Sequence, residues 1–147
     1  LAMGVLPLVG LEEYALAPPA DLVALSLFIV SLFCAVLLAS ALTMIMHVML
    51  VWTLSGEGFN RLMPGVTNIL AGMVIPLPLF PDWLQPALAL QPFRGLVDVP
   101  FRIYSGNITA SAAVTDIAQQ IVWVVLIVWF GRSLLKRALR DLVVQGG

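Results

Sequence analysis

Between Asp21 and Glu57 the chain carries no formal charge. No other feature limits its folding as tightly. A helix over residues 22–54 would be about 50 Å long, against a bilayer hydrocarbon core of about 30 Å. Such a helix must tilt strongly or leave the membrane at one end. Trp52 suits an interfacial belt. Only 10% of the residues are charged and 61% are hydrophobic, with a mean hydropathy of +1.06. A soluble domain has roughly 25% charged residues, so the chain lacks the polar surface that water requires. It reads as an integral membrane protein.

Two further spans follow from the same test, over about 62–80 and about 111–131. Pro64 near the start of the second is tolerable in a first helical turn, and Pro76 and Pro78 are expected to end it. The third continues into a tail over 132–147, where Arg132, Lys136, Arg137 and Arg140 cluster. The positive-inside rule places that C-terminus in the cytoplasm. Glu12, Glu13 and Asp21 then lie outside, the loop "SGEGFNR" inside, and residues 81–110 outside. In the tail, Leu135, Leu139, Leu142 and Val143 share one helical face and Arg132, Lys136 and Arg140 another. It reads as a helix lying against the inner interface or a partner. The apolar "LAMGVLPLVGL" has no basic flank and is too short to span. It reads as the trailing end of an earlier helix, in the C-terminal half of a longer protein. Residues 1–147 form a single transmembrane domain in this scheme.

Six of the ten prolines fall between Pro76 and Pro100. Residues 81–106 are too broken to cross and too apolar for a free loop. Asp82 with Gln85 has capping-box spacing. Pro92 opens a second short helix, Pro100 kinks it, and Gly106 is a natural stop. Phe93, Leu96, Val97, Phe101 and Tyr104 form one stripe of that helix; Arg94, Asp98 and Arg102 form the opposite one. Two short half-apolar helices between long spans describe a re-entrant hairpin in the outer leaflet, with the prolines as elbows. Such backbone is tolerated at membrane depth only when packed in protein or lining a wet cavity. The alternative is an interfacial loop that only caps the bundle. The charged stripe favours the wetter setting, because charges facing lipid cost several kcal/mol, roughly 2.5–3.5 on insertion scales.

Polar residues inside the spans are the functional candidates. Asp116, Gln119, Gln120 and Trp123 occupy positions i, i+3, i+4 and i+7 of the third span, one helical face. They line a translocation path, or Asp116 is an N-cap boxed by Gln119 while the glutamines bond between helices. Thr67 and Asn68, flanked by Gly65 and Gly72, interrupt the second span as interhelical glue or as part of the path. His47 shares a face with Thr43 and reads as a satisfied neutral histidine, since no carboxylate lies at its depth. Met44, Met46 and Met49 are soft packing, as is the single Cys34, which excludes an internal disulfide. The sequence contains no GxxxxGK[ST], HExxH or GxSxG motif and no metal-ligand spacing. The net charge of −1 points to no nucleic-acid partner.

The stretch "GFNRLMPGVTNILAGMVIPLPLFPDWLQPALALQPFRGLVDVPFRIYSG", the later "QQIVW" and the terminal "VVQGG" carry a resemblance. They resemble the C-terminal half of a type-two ABC exporter permease, of the daunorubicin-resistance and polysaccharide-export-like superfamily. The resemblance implies an all-α polytopic bundle whose fourth, fifth and sixth spans are the three above. It also implies the outer re-entrant hairpin, with Arg94, Asp98 and Arg102 at an outer gate. The implied function is ATP-driven export of an amphipathic or hydrophobic substrate across a bacterial cytoplasmic membrane. Its implied partners are an ABC ATPase subunit, a second permease chain, identical or related, and membrane lipid. ATP would sit on the ATPase, leaving this chain without a cofactor and without catalysis. The family's interfacial N-terminal helix and early cytoplasmic loop have no counterpart in these residues, so no coupling residue is assigned. The rival readings are an ion-gradient-driven transporter subunit, an intramembrane enzyme, for which too few paired side chains exist, and a structural membrane-assembly subunit.

Overall fold

The computed structural model describes residues 21–52 and 56–145. The readings of "LAMGVLPLVGL", Glu12, Glu13 and the last two glycines fall outside the described residues. In chain order the elements are α1 (Leu22–Trp52), α2 (Gly56–Leu70), a 3-10 turn (Leu77–Leu79), α3 (Gln85–Leu90), a second 3-10 turn (Phe93–Leu96), α4 (Asp98–Tyr104) and α5 (Ala110–Gln145). No strand occurs among the described residues. The stretches Leu22–Met49 and Ala110–Arg137 are long and apolar enough to cross a membrane.

Helix α1 has no internal glycine or proline. Three of its four hydroxyls are satisfied within the helix: Ser26 donates to the Val23 carbonyl, Ser40 to Val36 and Thr43 to Ala39, each at 2.8 Å. His47 Nδ1 lies 2.8 Å from the Thr43 carbonyl. Such back-bonding lets an exposed hydroxyl face lipid without an unpaired donor.

Helices α1 and α5 form the frame, and they run parallel. Ser31 meets Gln120, Leu38 and Ala41 cluster with Ile127, and Gly131 faces Met44 and Ile45. Residue numbers therefore rise together along both helices. The chain between Trp52 and Ala110 must travel back along the pair. Helix α2 begins that return and ends at Leu70, where the sequence pattern had run a span over about 62–80. Gly72, at φ +81°, is the reason. Its N–H bonds the Ile69 carbonyl at 3.2 Å and the Met73 N–H bonds Asn68 at 3.0 Å, the paired reverse bonds of a Schellman terminus. The helix thus stops before the prolines are reached. Pro64 sits within α2.

The short elements depart from the pattern in detail. Helix α3 has Leu84 at its N-cap with no side-chain cap bond, so Asp82 does not cap it. Gln85 Nε2 instead reaches back to the carbonyls of Leu77 and Phe80, at 3.1 and 2.9 Å. The helix opened by Pro92 breaks at Val97 (φ −133°, ψ −54°) rather than at Pro100. Pro100 lies in the first turn of α4, where no amide donor is required. The break shifts the helical phase, so Val99, Pro100 and Ile103 face inward and Phe101 is 65% exposed. Gly106, at φ +70°, ends α4 as expected.

Two apolar clusters hold these pieces together. Val99 and Ile103 of α4 pack with Cys34, Ala113 and Ile117. Lower down, Leu38, Ala41 and Ile127 collect Leu96 and Trp123. Cys34 is buried in the first cluster as a packing residue.

Candidate functional site

One face of α5 supplies the polar side chains, and each of them reaches the segment from Ala89 to Asp98. Helix α3 is only six residues long, and its last carbonyls have no intrahelical partner. Gln119 Nε2 donates to the Ala89 carbonyl at 2.7 Å and the Trp123 indole N–H to Leu90 at 2.8 Å. Two members of the stripe at i, i+3, i+4 and i+7 thus satisfy a helix end.

One turn further along, Arg94 forms a fork. Its Nη1 and Nη2 donate to the two oxygens of Asp116 at 3.1 and 2.9 Å, and its Nε donates to Asp98 Oδ2 at 3.0 Å. Arg102 approaches the same Asp98 oxygen at 3.8 Å. The Arg94, Asp98 and Asp116 side chains are 14%, 11% and 13% exposed. Two cations and two carboxylates balance, which is how charges persist away from water. Asp116 lies six residues inside α5 and is not its N-cap. Thr109 holds that position, with its hydroxyl 3.4 Å from the Ala112 N–H.

Gln120 is the most enclosed member, 2% exposed. Its Nε2 donates to the carbonyls of Gly95 (2.6 Å) and Ser31 (3.3 Å), while the Ser31 hydroxyl donates to its Oε1 at 3.1 Å. One amide therefore ties α5 to α1 and to the 3-10 turn. The approach needs a glycine: a Cβ at residue 95 would come within 3.0 Å of Gln120 Cγ and Leu38 Cδ2.

Gln91 extends the seam to α2 by donating to the Leu70 carbonyl at 2.7 Å. Its Oε1 and the Thr67 hydroxyl are buried without a partner among the described residues. A cavity of about 10 Å³ bordered by Gln91, Arg94, Asp116 and Gln120 has room for about one water. On the other side of Arg94 a groove of about 130 Å³ opens between Gln85, Leu88, Asp98 and Arg102.

The structure thus brings together Asp116, Gln119, Gln120, Trp123, Arg94, Asp98 and Arg102. It leaves Asn68 apart, exposed on α2. The pattern did not single out Ser31, Gly95 and Gln91; only the glycine inside "PFRGL" hinted at a close approach. No group of histidine, cysteine and carboxylate side chains that could hold a metal occurs among the described residues. The arrangement clamps a broken segment against a long helix. Residues 2–146 match the family model described as ABC-2 family transporter protein. Neither a curated protein nor a solved structure matches the chain.

Proposed function

The chain belongs to the ABC-2 family of transporter proteins, and from that premise we propose that it is the membrane-spanning permease of an ATP-driven exporter. The family is a membrane transport component, not itself catalytic, and usually works with an ATPase partner. ATP would be bound and hydrolysed on that separate subunit, and a second permease chain, identical or related, would complete the pathway. The substrate would be amphipathic or hydrophobic.

Residues 81–106 form the re-entrant hairpin of this scheme, on the outer side of a bacterial cytoplasmic membrane, with the α5 tail in the cytoplasm. Three contacts support that reading. Leu90 lies beside Trp123, Arg94 beside Asp116, and Val99 with Ile103 beside Ala113 and Ile117. The segment therefore runs back along α5 toward the end from which α5 starts. The parallel course of α1 and α5 supports a single return crossing between them.

The observation that carries the functional reading is the chemistry of the seam. Hairpin and α5 are joined along Asp116, Gln119, Gln120 and Trp123 by polar bonds, which water or a polar substrate group can replace. A purely apolar joint would offer no such exchange. Closure of the ATPases would rock the permeases, break the seam and open the outer mouth.

Affinity purification through this chain from its native membrane tests the proposal. An ATPase subunit should copurify in stoichiometric amount, and the reconstituted complex should move an amphipathic reporter only with ATP. Transport driven by a proton or sodium gradient without ATP contradicts it.

A further inference from the structure

Below the seam, an apolar groove of about 260 Å³ runs along α5 beside Ile45 of α1, lined by Ile45, Trp123, Leu126, Ile127, Trp129 and Phe130. The two helices also meet at Gly131, where a Cβ would meet Met44. Trp129 is 68% and Phe130 47% exposed. All the α5 lining residues lie within the apolar stretch Ala110–Arg137, so the surrounding solvent is lipid.

One face leads from the groove to a charge. Leu126, Phe130 and Arg137 are separated by four and seven residues, spacings that repeat on one side of a helix. Arg137 is exposed. It lies about 10 Å beyond Phe130 and about 16 Å beyond Leu126 along the axis. That matches the distance of about 15 Å from the membrane surface to mid-bilayer. Arg132 lies on the other side of the helix.

We propose that this groove holds an acyl chain of an anionic phospholipid, whose phosphate is held by Arg137. The apolar wall selects a chain, and the guanidinium on the same face selects a negative headgroup by charge-assisted bonds. The site does not rest on the transport assignment; it requires only that α1 and α5 lie in lipid.

Tryptophan quenching by brominated lipid tests it. The full chain with Trp52→Phe and Trp83→Phe, retaining Trp123 and Trp129, is reconstituted into phosphatidylcholine vesicles. A fixed fraction of the lipid is replaced by phosphatidylglycerol or phosphatidylcholine brominated at mid-chain. The apparent affinity from quenching should favour the anionic lipid about fivefold. Arg137→Gln should abolish that preference, whereas Arg132→Gln should leave it. Equal quenching by both lipids overturns the proposal, as does a preference that survives Arg137→Gln. Loss of the preference in Arg132→Gln overturns it in favour of a diffuse surface potential. Absence of quenching by either lipid overturns it in favour of a protein element filling the groove.

Discussion

Replacing Arg94 by leucine removes three donor bonds, takes from Asp116 its cation and leaves Asp98 only Arg102, 3.8 Å away. The cluster of Arg94, Arg102, Asp98 and Asp116 sums to zero; without Arg94 it carries one net negative charge in a mostly buried setting. Stranding a buried charge in this way costs about 3–5 kcal/mol. The double replacement Arg94→Leu/Asp116→Leu removes one charge of each sign and leaves the Asp98–Arg102 pair balanced. Exchange of a buried ion pair for apolar groups of similar size is close to neutral, so the double variant should lose less than about 2 kcal/mol. Asp116→Leu alone should fall between them, because Arg94 keeps its bond to Asp98. The cycle therefore predicts a coupling of about 3 kcal/mol or more between residues 94 and 116. Unfolding of the detergent-solubilised protein by added dodecyl sulfate, followed by circular dichroism, measures each corner. An Arg94→Leu variant within about 0.5 kcal/mol of wild type would refute the reasoning, since surface-like pairs contribute that little. So would a double variant as unstable as the sum of the two singles.

The same titration checks the glycines. Gly72→Ala should cost about 1–2 kcal/mol, because residue 72 holds a left-handed conformation, and Gly72→Asn should recover much of that loss. Gly95→Ala forces contact with both Gln120 and Leu38 and should cost about 1–3 kcal/mol by overpacking. Gln120→Ala leaves the Gly95 carbonyl and Ser31 without their shared partner, a loss of about 1–3 kcal/mol. It should also speed hydrogen exchange in Phe93–Leu96 more than in α1.

The two long spans were legible because their cause is local: α1 has no charge to stop it, and α5 runs from a polar turn to a basic tail. The broken segment was legible for the same reason, since each proline acts on its own turn. The end of α2 was not, because Gly72 can serve equally as a close-packing residue or as a left-handed terminus. Nor could the pattern show the break at Val97, a backbone irregularity at an unremarkable residue that sets which side of Asp98–Tyr104 faces inward. The α5 stripe was found as a face, but its partners were invisible. Gln119 and Trp123 bond main-chain carbonyls about thirty residues earlier in the chain, and a carbonyl leaves no trace in a sequence. The spacing of Asp82 and Gln85 was misleading in the opposite way. It fits a capping box, but Gln85 found two carbonyls of the preceding turn closer at hand.

Sidedness of labelling around the broken segment tests the account most directly. In a Cys34→Ala background, single cysteines replace Trp83, Asn107 and Arg137, all exposed positions. A membrane-impermeant maleimide applied to sealed right-side-out vesicles should modify residues 83 and 107 alike, and should reach 137 only in inverted vesicles. Modification of 83 and 107 from opposite sides would mean that the intervening chain crosses the membrane, contradicting the hairpin and the gate built on it.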